Sequence, residues 1–183
     1  MGTDDEAGTI GFGRYNFKQI IYSVVELEKR SYFPFLIRRE DLEFDLNIEK
    51  EAGRKDIVFF PSHREEIYIC IEAKRLNAMI SGARRSLADE YVKEGMQRFV
   101  DGKYSRSVRH GAMLAYVLDG DIGRAMQNIE NNIQKRLIEL RMNKKGGLLP
   151  STVRPADSRT KETRHQSSHE NGHFRIHHLF VAG

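Results

Sequence analysis

The sequence predicts an α/β domain, a three-layer α/β/α arrangement around a mixed central sheet. Two observations carry that prediction. Three strand-like segments follow one another between residues 42 and 73, joined by short turns, as in an antiparallel meander. Helical and strand-like patterns then alternate, which calls for βα crossovers and parallel pairing. The size agrees, since 183 residues with 39% hydrophobic and 31% charged side chains fill one ordinary core.

Residues 1–13 are acidic and glycine-rich and read as a flexible leader. From Tyr15 the apolar spacing turns helical, with Phe17, Ile20, Ile21, Val24 and Val25 on one face and Asn16 as N-cap. Residues 42–49 alternate, Leu42, Phe44, Leu46 and Ile48 against Glu43, Asp45, Asn47 and Glu49, as a half-buried strand does. Glu51–Arg54 reads as a turn. The strands Asp56–Phe60 and Ile67–Ala73 follow, both continuous apolar runs of the kind covered on two faces. A helix is expected over about 85–100, stopped by Gly102, then a fourth strand over 112–118. Asp119-Gly120-Asp121 turns into a long amphipathic helix reaching about 142, ended by Gly146-Gly147. Residues 143–173 read as a polar, basic, flexible loop, and 174–183 as a last strand packing back on a core of 14–142. The order is αβββαβ, then a long helix and a C-terminal strand.

No apolar run reaches the length of a transmembrane helix. The first residues lack a basic region followed by an apolar one, so no signal peptide is expected. A lone cysteine, Cys70, cannot form an internal disulfide, which suits a reducing, cytoplasmic setting. The net charge of +4 is concentrated late: residues 144–183 hold seven Lys/Arg against three acids, while the rest balances at 23 of each. Such an arm is either a solvated segment or one that follows a polyanion. Five histidines also fall in this stretch, but their spacing fits no tetrahedral zinc site and no cysteine accompanies them.

One cluster of charges lacks a plain structural reason. Asp56 opens one apolar strand, and Glu72 and Lys74 close the next. If the two strands are antiparallel neighbours, Asp56 lies beside Glu72, and residues two apart in a strand share a face, so Lys74 joins them. Two carboxylates about 4 Å apart repel by about 4 kcal/mol at an effective dielectric of roughly 20. A hard divalent cation relieves that repulsion, and a neighbouring ammonium orients a water and offsets developing charge. That is chemistry for phosphodiester hydrolysis.

Asp56, followed sixteen residues on by Glu72-Ala73-Lys74, resembles the PD-(D/E)xK motif of the restriction-endonuclease-like nuclease superfamily. The resemblance covers about residues 15–118. It implies a restriction-endonuclease-like fold and an Mg²⁺-dependent nuclease, with Mn²⁺ as substitute. Asp56, Glu72 and the Ala73 carbonyl would hold metal, and Lys74 would position the attacking water. Lys55 stands where the name-giving proline would be. Glu28, on the apolar face of the first helix, would be an auxiliary acid, and Gln97 resembles a glutamine that some branches place near the site. Arg84, Arg85, Arg106 and Arg109 are candidates for phosphate contacts.

The expected function is a DNA endonuclease of restriction or phage-defence type, DNA being preferred to RNA as partner. With little room for a separate recognition domain, specificity would come from a homodimer or a partner protein. The alternatives are a non-catalytic nucleic-acid-binding or assembly module of the same fold, and an RNA-cleaving effector.

Overall fold

A computed structural model describes residues 36–45, 50–60, 68–104, 109–166 and 172–183. The expected first helix, with Glu28, lies outside them, as does Arg106. The described chain is a mixed α/β structure. Its strands are β1 (Leu36–Asp45), β2 (Lys50–Phe60), β3 (Ile69–Leu76), β4 (Ala78–Ile80), β5 (Ala83–Arg85), β6 (His110–Val117), β7 (Leu149–Pro150), β8 (Thr160–Gln166) and β9 (His173–Ala182). Seven form one sheet in the order β1-β2-β3-β6-β9-β8-β7. The central trio β3-β6-β9 is parallel and the flanking pairs are antiparallel, so the sheet is mixed as expected.

Two helical elements supply the crossovers. The first, α1, combines an α-helical turn Ala88–Tyr91, a π-helical stretch Val92–Met96 and a closing α-helical turn Gln97–Val100. The second, α2, is Ile122–Gln134, capped by the Asp121 carboxylate, which accepts the Arg124 N–H at 3.0 Å. Both crossovers step the same way across the sheet, from β3 to β6 to β9, and crossovers of one hand then place both helices on one face. Tyr91, Met96, Ile129 and Ile133 accordingly share one core with Cys70, Leu76, Met113, Val117, Ile176 and Phe180. No helix among the described residues is long and apolar enough to cross a membrane.

Four expectations need correction. The Glu51–Arg54 stretch is not a turn but the start of β2, with Gly53 paired to Glu43 beside a register shift between Glu43 and Phe44. Glycine marked an irregular strand pair here. Arg84 and Arg85 do not begin a helix. They lie in β5 of a small hairpin whose turn, Ser81-Gly82, has both φ angles positive, at 51° and 77°. The helix after Asp121 stops at Gln134 rather than 142. Its apolar rhythm runs on because Leu140 is buried from a chain of turns that ends at Arg141, where φ is 51°. Finally, the polar segment 143–173 contains β7 and the seven-residue strand β8, hydrogen-bonded along β9.

β8 is ordered through hydrogen bonds rather than apolar burial. A buried chain runs from Tyr91 Oη to His178 Nδ1 (2.8 Å), His178 Nε2 to Thr163 Oγ1 (2.9 Å), Thr163 Oγ1 to His165 Nε2 (2.8 Å) and His165 Nδ1 to the Leu140 carbonyl (2.7 Å). The carbonyl only accepts, so His165 Nδ1 donates and Nε2 accepts from the Thr163 hydroxyl. The same logic makes His178 Nε2 the donor to Thr163 and Tyr91 the donor to Nδ1. Every member is satisfied with both imidazoles neutral. Burial, the largest cause, lowers His165 to about 4 and His178 to about 3.

Unfolded histidines take up protons near pH 6.5, so this neutral pair stabilises the fold fully above that pH and progressively less as pH falls toward 4. Urea titrations at pH 7 and pH 5 should differ by on the order of 1–2 kcal/mol per buried imidazole, and His178→Phe should shrink the difference. Gly111 gives a second check. A β-carbon there would lie 2.6 Å from the Phe99 ring and 3.2 Å from Phe174. Gly111→Ala should therefore cost about 1–3 kcal/mol in the same titration.

Candidate active site

The site begins where β2 and β3 part. Their ladder pairs Phe59 with Ile69, Val58 with Cys70 and Ile57 with Ile71, and stops. The next step would set Asp56 opposite Glu72, the neighbourhood expected from the sequence. β2 continues along β1 as far as Lys50, while β3 continues along β6 to Leu76. The two strands thus separate only on the side they shared. Across the opening, Asp56 Oδ2 accepts the Ala73 N–H at 2.8 Å in place of a ladder bond.

Alternation then decides what faces what. Cys70, Glu72, Lys74 and Leu76 lie on the face covered by α1, and Cys70 and Leu76 are fully buried. Glu72 is buried with them, 2% exposed, while the Lys74 side chain keeps a quarter of its surface open. The Lys74 ammonium donates to Glu72 Oε1. From α1, Arg98 Nη1 approaches the same oxygen at 3.6 Å and donates to the Tyr104 hydroxyl. Glu72 Oε2 is buried and has no hydrogen-bond partner among the described residues.

The electrostatics follow from this packing. Burial first, and the Asp56 charge second, raise Glu72 above the ordinary carboxylate range, against the pull of Lys74 and Arg98. Tyr104 is pushed up to about 12, by burial and then by the Glu72 charge. α1 comes close to the strand here. A β-carbon on Gly95 would lie 2.4 Å from Met113 Cε and 3.8 Å from Lys74 Cε. The π-helical stretch carries Gly95, and Arg98 follows it by three residues.

Asp56, Glu72 and Lys74 are therefore brought together. Gln97 sits half-buried beside the residue that does reach Glu72, which is Arg98. Sequence reasoning missed Arg98, and reads Tyr104 as a loop residue near phosphate rather than as the partner of Arg98. The helical phase holds a signal, since Tyr91, Gly95 and Arg98 recur at i, i+4 and i+7. The candidate phosphate contacts do not form one patch. Arg84 pairs at 3.4 Å with Asp119, beyond the C-terminal end of β6, and Arg85 reaches Glu90 at 3.9 Å. Arg109 precedes the opposite end of that strand, about 25 Å away at a strand's rise per residue.

Two carboxylates with a backbone carbonyl between them suit a hard cation, and an orphaned, buried carboxylate oxygen is an open ligand position. Among the described residues no three His, Cys, Asp or Glu side chains gather as a ready-made cage.

Removing the Asp56 charge should lower the Glu72 pKa in Asp56→Asn, and Lys74→Met should raise it further. Both are readable from side-chain carboxyl shifts of labelled glutamate across a pH titration. Unchanged values in both variants would show that the three groups are not electrostatically joined. Comparison of the chain with protein-family models, with curated proteins and with solved structures finds no match, so its function is argued from these side chains.

Proposed function

We propose that this chain is a metal-dependent nuclease of restriction-endonuclease-like architecture that hydrolyses phosphodiester bonds, of DNA in the first place. The observation that carries the reading is Glu72 Oε2, a buried carboxylate oxygen without a hydrogen-bond partner among the described residues, on the residue that Asp56 and Lys74 flank. A carboxylate left in this state costs stability, and a cation is the ligand that compensates it. Asp56, Glu72 and the Ala73 carbonyl would hold Mg²⁺, or Mn²⁺ in its place. When bound, the ion supplies Lewis-acid polarisation of a phosphate oxygen and lowers the pKa of bound water.

The chain's own residues divide the remaining work. Lys74, partly open to solvent and held by Glu72, orients a water toward phosphorus and offsets charge on the phosphoryl oxygens as the water loses its proton. Arg98, fixed against Tyr104, draws Glu72 Oε1 to one side and leaves Oε2 for the cation. Asp56, anchored through Oδ2 by the Ala73 N–H, would offer its other oxygen to the cation. The net charge of +4 favours a polyanionic substrate. Sequence preference would be supplied by a second copy or a partner protein, and the restriction or phage-defence role belongs to this proposal.

Wild type and Lys74→Ala should be compared on supercoiled plasmid, linear duplex, single-stranded DNA and RNA, each with Mg²⁺, Mn²⁺ or EDTA. Cutting in either metal, none in EDTA, and a loss of at least about 100-fold in the variant are expected. RNA as the one substrate cut would move the reading to the RNA-cleaving alternative. No cutting, together with Mn²⁺ binding that Asp56→Ala leaves unchanged, would favour the non-catalytic module.

A further inference from the structure

Between β3 and α1 the chain leaves the sheet as the hairpin β4-β5, and every residue from Met79 to Ser86 is exposed. Met79 and Ile80, beside the turn, are 66% and 37% exposed. They are the one adjacent pair of exposed large apolar side chains among the described residues. Such side chains standing singly are ordinary, whereas two together on a protrusion point to a contact.

The protrusion is held stiffly. Its base is closed by the Asn77 N–H, which donates to the Ser86 carbonyl at 3.0 Å. The buried Asn77 side chain donates to Asp119 Oδ1 at 2.9 Å and to the Asp121 carbonyl at 3.4 Å. Four non-glycine residues among those described have positive φ, and three of them serve this hairpin: Asn77 at its entrance, Ser81 in its turn and Leu87 at its exit. Such conformations cost free energy and persist where the surroundings impose them, often at functional sites. A loop that only joined β3 to α1 would need none of them.

Two features choose the partner. Residues 75–86 carry Arg75, Arg84 and Arg85 and no acid. Arg75 is exposed and makes no ion pair among the described residues. Arg84 and Arg85 reach Asp119 at 3.4 Å and Glu90 at 3.9 Å, but both side chains stay more than half exposed, and Arg124 shares Asp119 at 2.6 Å. Exposed pairs of that kind contribute little and are screened by salt, so phosphate can replace them. The second feature is size. Two side chains at a tip are too few for a protein interface, which takes about 800 Å² per partner. A wedge into nucleic acid takes one or two, and methionine and isoleucine are among the side chains that part base steps from the minor groove.

We propose that β4-β5 is a wedge that enters the minor groove of a nucleic-acid duplex, where Met79 and Ile80 unstack a base step and the arginines take neighbouring phosphates. The proposal rests on the nuclease reading, which supplies the nucleic acid, and adds the form of the substrate, a duplex opened near the site. Lys74 and Ala78 are four residues apart, at most about 13 Å at a strand's rise per residue.

The test is read in EDTA, on the full chain, so that it does not depend on cutting. A duplex carrying 2-aminopurine reports unstacking as a rise in fluorescence, and anisotropy gives its affinity. Wild type should bind the duplex and raise the fluorescence. Met79→Ser combined with Ile80→Ser should melt like wild type, lose most of the rise and bind at least about tenfold more weakly. Arg75→Gln should lower the slope of affinity against salt by about one. A double variant that binds and brightens the duplex as wild type does overturns the wedge. So does a wild type that binds no duplex, or binds it without a rise. Cleavage in Mg²⁺ is scored separately. A wild type that unstacks the duplex and never cuts it overturns the nuclease reading and leaves the wedge, whereas cutting with fluorescence unchanged in the double variant overturns the wedge alone.

Discussion

A carboxylate buried on the helix-covered face of the sheet is the constraint to which this structure answers. Glu72 stands between Cys70 and Leu76, positions that are otherwise apolar and fully buried. Placing an ionised group there is costly unless it is paired. Two devices reduce the cost. Lys74 is on the same face by alternation, and α1 supplies Arg98. The second sets the helix's geometry. To bring Arg98 over Glu72, α1 must pass close above Met113 and Lys74, and it does so with glycine at Gly95 inside the π-helical stretch. The parting of β2 from β3 at Asp56 belongs to the same arrangement, because an intact ladder would place an ordinary strand pair where the opening now lies.

The sheet contains a second polar centre with the opposite property. Tyr91, His178, Thr163 and His165 form a chain in which every donor meets an acceptor in one consistent direction. Such a network rigidifies what it joins, and here it ties α1 to β9 and β8 and then to the Leu140 carbonyl. Glu72 is different in kind, being half-satisfied. Natural structures keep a half-satisfied buried group where a ligand completes it, and replace it with an apolar residue where none does. The two centres share one face of one sheet, and their contrast supports the cation proposed at Glu72.

The β1-β2-β3 meander, the parallel crossovers to β6 and β9 and the closeness of Asp56 to Glu72 and Lys74 follow from period-2 alternation and short connections, because a buried sheet leaves few other registers, whereas the hairpin β4-β5 and the strands β7 and β8 were not expected. The end of α2 could not, since Leu137 and Leu140 continue a helical rhythm that turns also satisfy. β8 was hidden for a different reason. Its sequence, TKETRHQ, buries Thr160, Glu162, Thr163 and His165 through hydrogen bonds and ion pairs to residues distant in the chain. Hydropathy records transfer from water and contains no term for partners. Arg98 was missed on similar grounds: a helical arginine reads as surface until the strand beneath it is known to carry a buried acid.

Strand direction separates the two unsatisfied groups. Glu72 and Lys74 pair with Met113 and Ala115, in the middle of the parallel strands and just past it. Arg141, which carries the second, and its neighbours gather beyond the N-terminal ends, before His110 and around Arg175. An orphaned acceptor at one place and an orphaned donor at the other have opposite charge preferences, so no single small ion satisfies both. A cation at the first, as proposed, would offset the charge that burial has left on Glu72. Among the described residues Glu72 Oε2 is unsatisfied on the sheet and Arg141 Nη1 beside it, and it is the first that has a second carboxylate and an ammonium next to it.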